Sequence, residues 1–332
     1  MRPSRRAIPY LLLLPGIGWL LLFYVYPALQ LFLVSLWTGN ITDGYDQTFN
    51  FGIYAEGFSE YWPWLVRSAA YGGLATILAF LLGYPLAYAI AFKGGRYKNL
   101  LLFLVIAPFF VSFLLRTISW KIILADNGIV LGPLKDVGLL GDDFRVLATP
   151  MAVIAGITYN LLPFMTLPLY VALEKVDFRL LEAARDLYAG PWRPGGTIVG
   201  AIVGAAILSF AVIVLGADPI VPAVGGAVVG AVVGTFLISE AFVRITFPMS
   251  LPGVFAGSLL TFIPAVGDFI NAELLGNPST QMIGNVIQGR FLEIADYPMA
   301  SALSFILMAT IIAGVLLYAR VLGTEELTGG RA

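Results

Sequence analysis

The sequence consists largely of long apolar runs that short polar segments separate. An α-helix needs about 20 apolar residues to cross a bilayer, and several of these runs are that long. Of the 332 residues, 59% are hydrophobic and 12% are charged, whereas soluble domains carry about 25% charged residues. Only helices and closed barrels satisfy their backbone hydrogen bonds in lipid, and the alternating pattern of a barrel is absent. The sequence therefore predicts an all-α, polytopic integral membrane protein.

Six of the runs predict the core transmembrane helices. They cover residues 9–37, 66–92, 100–124, 147–173, 251–271 and 299–322. Polar connections are expected at 38–64, 125–146 and 273–298. The first run is too long for the apolar core of a signal peptide, and no Ala-x-Ala cleavage site follows it. We therefore predict that it is a retained first span, which Pro15 and Pro27 can kink.

Composition also restricts the chemistry. The chain has no Cys and no His, which excludes disulfides and thiolate metal sites and removes the commonest general base and metal ligand. The net charge is −1, so no field that attracts polyanions is expected. We predict no catalytic site, no metal site and no nucleic-acid partner.

The distribution of positive charge predicts the orientation. If the N-terminus is cytoplasmic, thirteen of the 19 Lys and Arg residues fall on the cytoplasmic side. They lie in the N-terminus, in the 93–98 loop, in segments flanking the insertion described below, and in the C-terminal tail. Because cytoplasmic loops are enriched in Lys and Arg, both termini are predicted to be cytoplasmic.

A short amphipathic helix is predicted after the fourth span, with Asp177 as its N-cap. Its apolar positions recur at i, i+3, i+4, i+7 and i+8, which places them on one face. They are Leu180, Ala183, Ala184, Leu187 and Tyr188. Pro191 ends the helix. Periodicity alone leaves two interpretations open: a helix that fits the groove of a partner, or an interfacial helix on the lipid headgroups.

Glu182-Ala183-Ala184 resembles the EAA loop of ABC importer permeases. The family pattern is EAA, three residues, Gly, nine residues and Ile-x-Leu-Pro. Read continuously, this chain departs from it, since Tyr188 stands where Gly is usual and no Pro follows at the expected distance. When residues 194–240 are omitted, nine residues (189–193 and 241–244) separate Tyr188 from Ile245. The family spacing is then restored by Ile245-Thr246-Phe247-Pro248, with Phe in place of Leu.

Residues 194–240 are therefore interpreted as an insertion within this motif. Glycines recur every four residues in two series, at 196, 200 and 204 and at 226, 230 and 234, a pattern that permits close helix packing in lipid. It predicts a two-helix hairpin that spans the membrane or dips into it; an artefact of recombination or assembly is the alternative. The predicted organisation is a permease domain of residues 1–193 and 241–332, interrupted by the hairpin.

The segments 106–130 and 262–304 resemble the spermidine/putrescine branch of this family. The resemblance implies a type I importer fold of six core helices in a prokaryotic inner or plasma membrane. It also implies a second permease subunit, two cytoplasmic ATP-binding subunits and an extracytoplasmic substrate-binding protein. No cofactor is expected here, because ATP belongs to the other subunits and this chain has no G-x-x-x-x-G-K-[ST] loop. The residues implied to couple to the ATPases are Glu182, Ala183, Ala184, Leu187, Gly190, Ile245 and Pro248.

Candidate residues of the substrate path follow from the chemistry of polyamines, which are ammonium groups joined by methylenes. Carboxylates and aromatic rings attract such cations. The candidates are Asp268, Glu273, Trp120, Tyr159, Tyr170 and Asn160. Alternatively, Asp268 pairs with Arg116 or Lys121 or caps its span. Asn160 and Pro163 indicate either a locally opened helix or an ordinary proline kink.

Two further functions remain open on the sequence. One keeps the family but changes the substrate to another small cation, an amino acid or a phosphonate. The other is a membrane scaffold that the insertion has decoupled from the ATPases.

Overall fold

The structure is a computed structural model, and it describes residues 8–138, 141, 144–177, 179, 180, 182, 183, 198, 201 and 242–322. These residues are almost entirely helical. The helices are α1 (Ile8–Leu20), α2 (Tyr26–Val34), α3 (Gly52–Tyr88), α4 (Lys98–Ile106), α5 (Phe113–Ile123), α6 (Leu131–Asp136), α7 (Pro150–Glu174), α8 (Phe247–Val266), α9 (Ile270–Leu275), α10 (Ile283–Leu292) and α11 (Tyr297–Leu322). A small antiparallel hairpin pairs β1 (Thr38–Asn40) with β2 (Gly44–Asp46). The inserted block lies outside the described residues except for 198 and 201.

Five described helices are long and apolar enough to cross a membrane, and a sixth span results if a bent pair is counted as one. The all-α, polytopic prediction is therefore confirmed. π-Helical turns continue the helical path at Leu21–Val25, Ala89–Lys93 and Phe242–Thr246. The first of these lies between Pro15 and Pro27, where the sequence predicted a distortion of the first span.

One compact unit of the described residues comprises 8–66 and 283–316. Its core contains Ile53, Tyr61 and Leu65 of α3 and Met299 and Leu303 of α11. The prediction that 38–64 is a polar connection is wrong in its second half, because α3 begins at Gly52. Ile53, Tyr61 and Leu65 recur at helical spacing and are buried, and this apolar face outweighs the exposed carboxylates around it.

The other unit comprises the described residues within 67–282 and 317–322, and more than half of the residues of α7 in it are buried. Helix α8 packs closely on α7 because two glycines four residues apart leave room for its backbone. A Cβ at Gly253 would lie 2.7 Å from the Pro168 carbonyl oxygen, and one at Gly257 would lie 3.0 Å from the Met165 carbonyl oxygen. Helix α7 is continuous through Pro163 and Pro168, so the locally opened helix is not observed.

The span predicted over 100–124 is sharply bent, which the sequence did not indicate. Helices α4 and α5 meet at an angle of 93°. After a 3₁₀ turn at Ala107–Phe110, Val111 adopts extended backbone and Ser112 is non-helical, with ψ of 137° at both residues. Two successive non-helical residues end one helix and re-aim the next.

Two predicted connections contain helices. Helix α6 lies within 125–146, and α10 with a 3₁₀ turn at Pro278–Thr280 lies within 273–298. The fifth span ends at Val266 rather than at Asn271, because Gly267 is the C-cap residue of α8 and α9 starts at Ile270. Asp268 therefore lies just beyond the span.

Candidate functional site

A buried polar cluster joins α5, α7 and α9. Asn160 Nδ2 of α7 lies 3.2 Å from Thr117 Oγ1 of α5 and 3.1 Å from Asn271 Oδ1 of α9. Thr117 Oγ1 also lies 3.3 Å from Asn271 Oδ1. All three residues are at most 1% exposed. Because apolar surroundings strengthen hydrogen bonds, the cluster fixes the three helices to one another.

Close packing makes this cluster possible. Gly156 lies one turn before Asn160 on α7, and a Cβ there would lie 2.7 Å from Asn271 Oδ1 and 2.5 Å from Leu275 Cδ1. The glycine therefore lets α9 approach α7 closely enough for the two amides to meet. Thr117 and Asn271 were missed by the sequence analysis, because 154 residues separate them along the chain.

Asp268 attaches to the cluster through Asn271. Its Oδ1 accepts the Asn271 backbone N–H at 2.8 Å, and its Oδ2 accepts Asn271 Nδ2 at 2.8 Å. It forms no ion pair with Arg116 or Lys121 among the described residues, so that alternative is not observed. Burial raises the pKa of Asp268 to about 6, although the two bonds from Asn271 oppose this rise.

Arg116 is a buried charge that the sequence analysis considered only as a partner for Asp268. It is 8% exposed, and its Cζ lies 5.3 Å and 5.7 Å from the ring centroids of Phe109 and Phe113. Its Nε and Nη1 have no hydrogen-bond partner in the described part of the chain. The sequence could have singled out Arg116 by its place within a predicted span, because basic residues are rare there and usually functional.

The aromatic candidates are partly brought together. Trp120 and Tyr159 form an edge-to-face pair with ring centroids 5.3 Å apart, and Tyr159 is adjacent to Asn160 in the sequence. Tyr170 instead lies near the C-terminal end of α7, where its ring centroid is 5.2 Å from Lys98 Nζ. Glu273 is exposed and is not part of the polar cluster. The structure thus connects Asn160 with Asp268 through Asn271 and pairs Trp120 with Tyr159, but it leaves Glu273 and Tyr170 apart.

The first half of the coupling motif is described in part. Asp177 Oδ1 accepts the Arg179 N–H at 2.9 Å, the interaction predicted for an N-cap. Glu182 and Ala183 are helical and exposed. Ala184, Leu187 and Gly190 lie outside the described residues, as does most of the inserted block.

The second half of the motif lies where α8 begins. Ile245 belongs to the π-helical turn Phe242–Thr246. Pro248 is exposed in the first turn of α8, where its missing N–H has no intrahelical role. Pro248, Glu182 and Ala183 are thus exposed and available to a partner protein, whereas Ile245 is half-buried.

Comparison with models of protein families gives no match. The chain is 35% identical over 299 residues to the spermidine/putrescine transport system permease protein PotB of Haemophilus influenzae. The aligned region covers 89% of this chain and 88% of that protein. The PotB protein of Escherichia coli K12 is 33% identical over 302 residues, covering 91% and 92% of the two chains.

The chain belongs to the family of spermidine/putrescine transport system permease proteins. A crystal structure of a bacterial ABC transporter involved in import of the polysaccharide alginate contains a similar chain, with a TM-score of 0.64 and 17% identity over 98% of this chain and 97% of that one. That likeness supports the ABC permease fold. The chain is therefore a membrane transport protein and not an enzyme. In the described residues, no group of three or more acidic side chains is placed to hold a metal ion.

Proposed function

We propose that this chain is a permease subunit of an ATP-driven importer of polyamines and forms half of the translocation path. The observation that carries the proposal is the 35% identity to a spermidine/putrescine permease over 89% of the chain. The buried polar cluster with its aromatic pair supports it, because amide oxygens, a carboxylate and aromatic faces suit ammonium groups. Asp268, Glu273, Trp120, Tyr159 and Asn160 are the proposed path residues.

The proposed coupling surface consists of Glu182, Ala183, Ala184, Leu187, Gly190, Ile245 and Pro248. Two cytoplasmic ATP-binding subunits contact it, a second permease subunit completes the path, and an extracytoplasmic binding protein delivers the polyamine. Both termini are cytoplasmic. ATP-driven closure of the ATPases moves the coupling helix and shifts the spans between inward-open and outward-open states. This chain itself needs no cofactor.

Uptake by the complete transporter tests the proposal. The four kinds of subunit are reconstituted in liposomes, and uptake of labelled spermidine and putrescine is measured with and without ATP. We expect ATP-dependent uptake that excess unlabelled polyamine competes away but an amino acid or a phosphonate does not. Transport of one of those other substrates, with no polyamine uptake, would reject polyamines as the substrate.

The coupling surface has its own test. Glu182→Ala should remove most ATP-dependent uptake while the chain still inserts into the membrane, because an exposed side chain contributes little to folding. Arg320→Ala at the end of α11 is a matched change of an exposed charged residue outside the motif. Normal uptake by the Glu182 variant would remove this residue from the coupling role.

The inserted block is tested by deletion of 194–240. Because deletion restores the family spacing of the motif, we expect the shortened chain to bind the ATPases and to support uptake. Co-purification of the ATPases with the full chain, measured in parallel, decides whether the insertion leaves coupling intact or makes the chain a decoupled scaffold.

A further inference from the structure

One acceptor in the polar cluster is left without a donor. Asn160 Nδ2 donates to Thr117 and Asn271, whereas Asn160 Oδ1 accepts from no group in the part of the chain that the structure describes. Asn160 is 1% exposed, so bulk water does not reach this oxygen. Buried polar atoms in native proteins nearly always have a partner. The oxygen therefore calls for a donor that the described part of the chain does not supply.

Neighbouring groups fix the orientation of both amides. If the Asn160 amide were turned over, its oxygen would face Asn271 Oδ1 at 3.1 Å, and two acceptors would meet. If the Asn271 amide were turned over, its oxygen would face Asp268 Oδ2 at 2.8 Å. Asp268 thus sets the direction of the amide hydrogen bonds in the cluster.

These hydrogen bonds run in one direction, from Asn160 through Asn271 to Asp268. Successive hydrogen bonds polarise one another. A negative charge on Asp268 makes Asn271 Oδ1 a better acceptor for Asn160 Nδ2, and the Asn160 amide then carries more negative charge on its own oxygen. The chain of bonds therefore transmits part of the effect of the carboxylate to a neutral oxygen on α7.

We propose that Asn160 Oδ1 binds one ammonium group of the substrate during translocation, and that Asp268 acts on it through Asn271 as a positioning residue. This inference rests on the proposed function, because the missing donor is a polyamine ammonium. Trp120 follows Thr117 by one turn on α5, Tyr159 precedes Asn160 on α7, and the two rings pack edge to face; aromatic rings attract cations of this kind. A neutral oxygen holds an ammonium less tightly than a carboxylate does, which suits a site that releases its ligand in every cycle.

The bent span provides the access. Thr117 Oγ1 accepts a hydrogen bond from Asn160 Nδ2, and α5 is joined to the preceding turn by the non-helical residues Val111 and Ser112 rather than by continuous helix. In this proposal, movement of α5 about this joint breaks the Thr117–Asn160 contact and opens the cluster to the substrate. Arg116 does not supply the missing donor, because its guanidinium lies over Phe109 and Phe113 and no bond joins it to Asn160.

The test uses the complete reconstituted transporter with saturating loaded binding protein. Asn160→Leu removes the amide at similar volume, and Asp268→Asn leaves Asn160 in place but removes the charge. Thr166→Val is the matched control, because Thr166 is buried on α7 and its hydroxyl bonds only the Leu162 carbonyl of its own helix. The readouts are the initial rate of putrescine uptake and the number of ATP molecules hydrolysed per putrescine imported.

We expect Asn160→Leu and Asp268→Asn each to lower uptake about tenfold, the effect of losing one charge-assisted hydrogen bond. Stimulated ATP hydrolysis should persist, so that the ATP cost of each imported putrescine rises. The double variant should transport no worse than the poorer single variant, because both changes break one relay. The control should match the wild type in both readouts.

Wild-type uptake by Asn160→Leu would overturn the inference, and so would losses that multiply to about 100-fold in the double variant, since independent sites add in free energy. If the Asn160→Leu chain does not assemble with the other subunits, uptake by the Asp268→Asn variant tests the inference on its own. Wild-type uptake by that variant overturns the role of the Asn160–Asn271–Asp268 hydrogen bonds. A wild-type complex that imports no polyamine rejects the proposed function itself, which distinguishes the two failures.

Discussion

Helix α7 and the bent span formed by α4 and α5 both contain proline, but only the second is sharply bent. Helix α7 contains two internal prolines, Pro163 and Pro168, and is continuous over 25 residues. The bent span contains one proline, Pro108, and turns by 93°. The number of prolines therefore does not decide whether a span breaks.

Burial distinguishes the two regions. In the most apolar part of α7, 67% of the residues are buried within the protein. At the bend, by contrast, Phe110 and Val111 are 80% and 47% exposed. Neighbouring helices hold α7 in place, and such packing lets transmembrane helices accommodate proline. At the bend, few contacts oppose the extended backbone. Tertiary packing thus decides which proline-containing span remains a single helix.

Replacing Gly253 with Ala should test the packing that supports α7, with the largest expected effect. The added Cβ would lie 2.5 Å from Ala172 Cβ and 2.7 Å from the Pro168 carbonyl oxygen, and a backbone oxygen moves only with its helix. We expect a loss of about 3 kcal/mol in the free energy of unfolding, measured in nanodiscs. Gly73→Ala is the control, because nothing lies within 4 Å of a Cβ there. Equal losses in both variants would contradict a supporting role for this contact.

The pH dependence of stability should test the cluster that joins the two regions. Because the pKa of Asp268 is raised from 3.8 to about 6, the folded state binds more protons than the unfolded state between these values. The free energy of unfolding should therefore fall as the pH rises from about 4 to about 6, by about 2 kcal/mol. Thermal unfolding of the wild type and of Asp268→Asn measures it. A slope of the same size in the variant would show that another group titrates.

A smaller effect is expected at the other junction of the two regions. Lys98 at the start of α4 and Glu174 at the end of α7 form an ion pair of 2.7 Å, with side chains 28% and 47% exposed. Water and salt screen such pairs, so a double-mutant cycle with Lys98→Met and Glu174→Gln should give a coupling energy below about 1 kcal/mol. A coupling energy of several kcal/mol would mean that the pair is shielded from solvent in the assembled transporter.

Removing the proline of the bent span should have the smallest effect. Pro108 occupies the start of a 3₁₀ turn, where its missing N–H is not needed, and the bend is located at Val111 and Ser112. In Pro108→Ala, spin labels at positions 104 and 122 should stay at their wild-type separation, well below the distance of about 27 Å across a straight helix. The chain has no Cys of its own, so two introduced cysteines label these positions. Separation near the straight-helix value would make Pro108 the cause of the bend.

Sequence periodicity and apolar length predicted most of the membrane spans, because lipid requires apolar helices of a particular length. The same criterion failed at α3, where Glu56 and Glu60 concealed the buried face of Ile53, Tyr61 and Leu65. It failed again at the bend, because residues 100–111 and most of 113–124 are apolar and hydropathy does not report backbone direction.

Individual residues of the candidate site were predicted better than their arrangement. Asn160 and Asp268 were identified as polar groups within or at the end of apolar runs. Thr117 and Asn271 connect them through contacts between residues far apart in the sequence, and periodicity carries no information about such pairs. The Gly253-x-x-x-Gly257 spacing was visible in the sequence, and attention to it would have predicted the close contact of α8 with α7.

The bend has a consequence for hydration. The first N–H groups of an α-helix have no acceptor within the helix, and Ser112, the N-cap residue of α5, makes no side-chain hydrogen bond to them. Hydrocarbon offers no acceptor either, and each unsatisfied group there costs several kcal/mol. The start of α5 thus requires water or a polar partner rather than lipid tails. Wherever the 93° turn lies within the hydrocarbon layer, water or a polar group of a partner has to reach the start of α5.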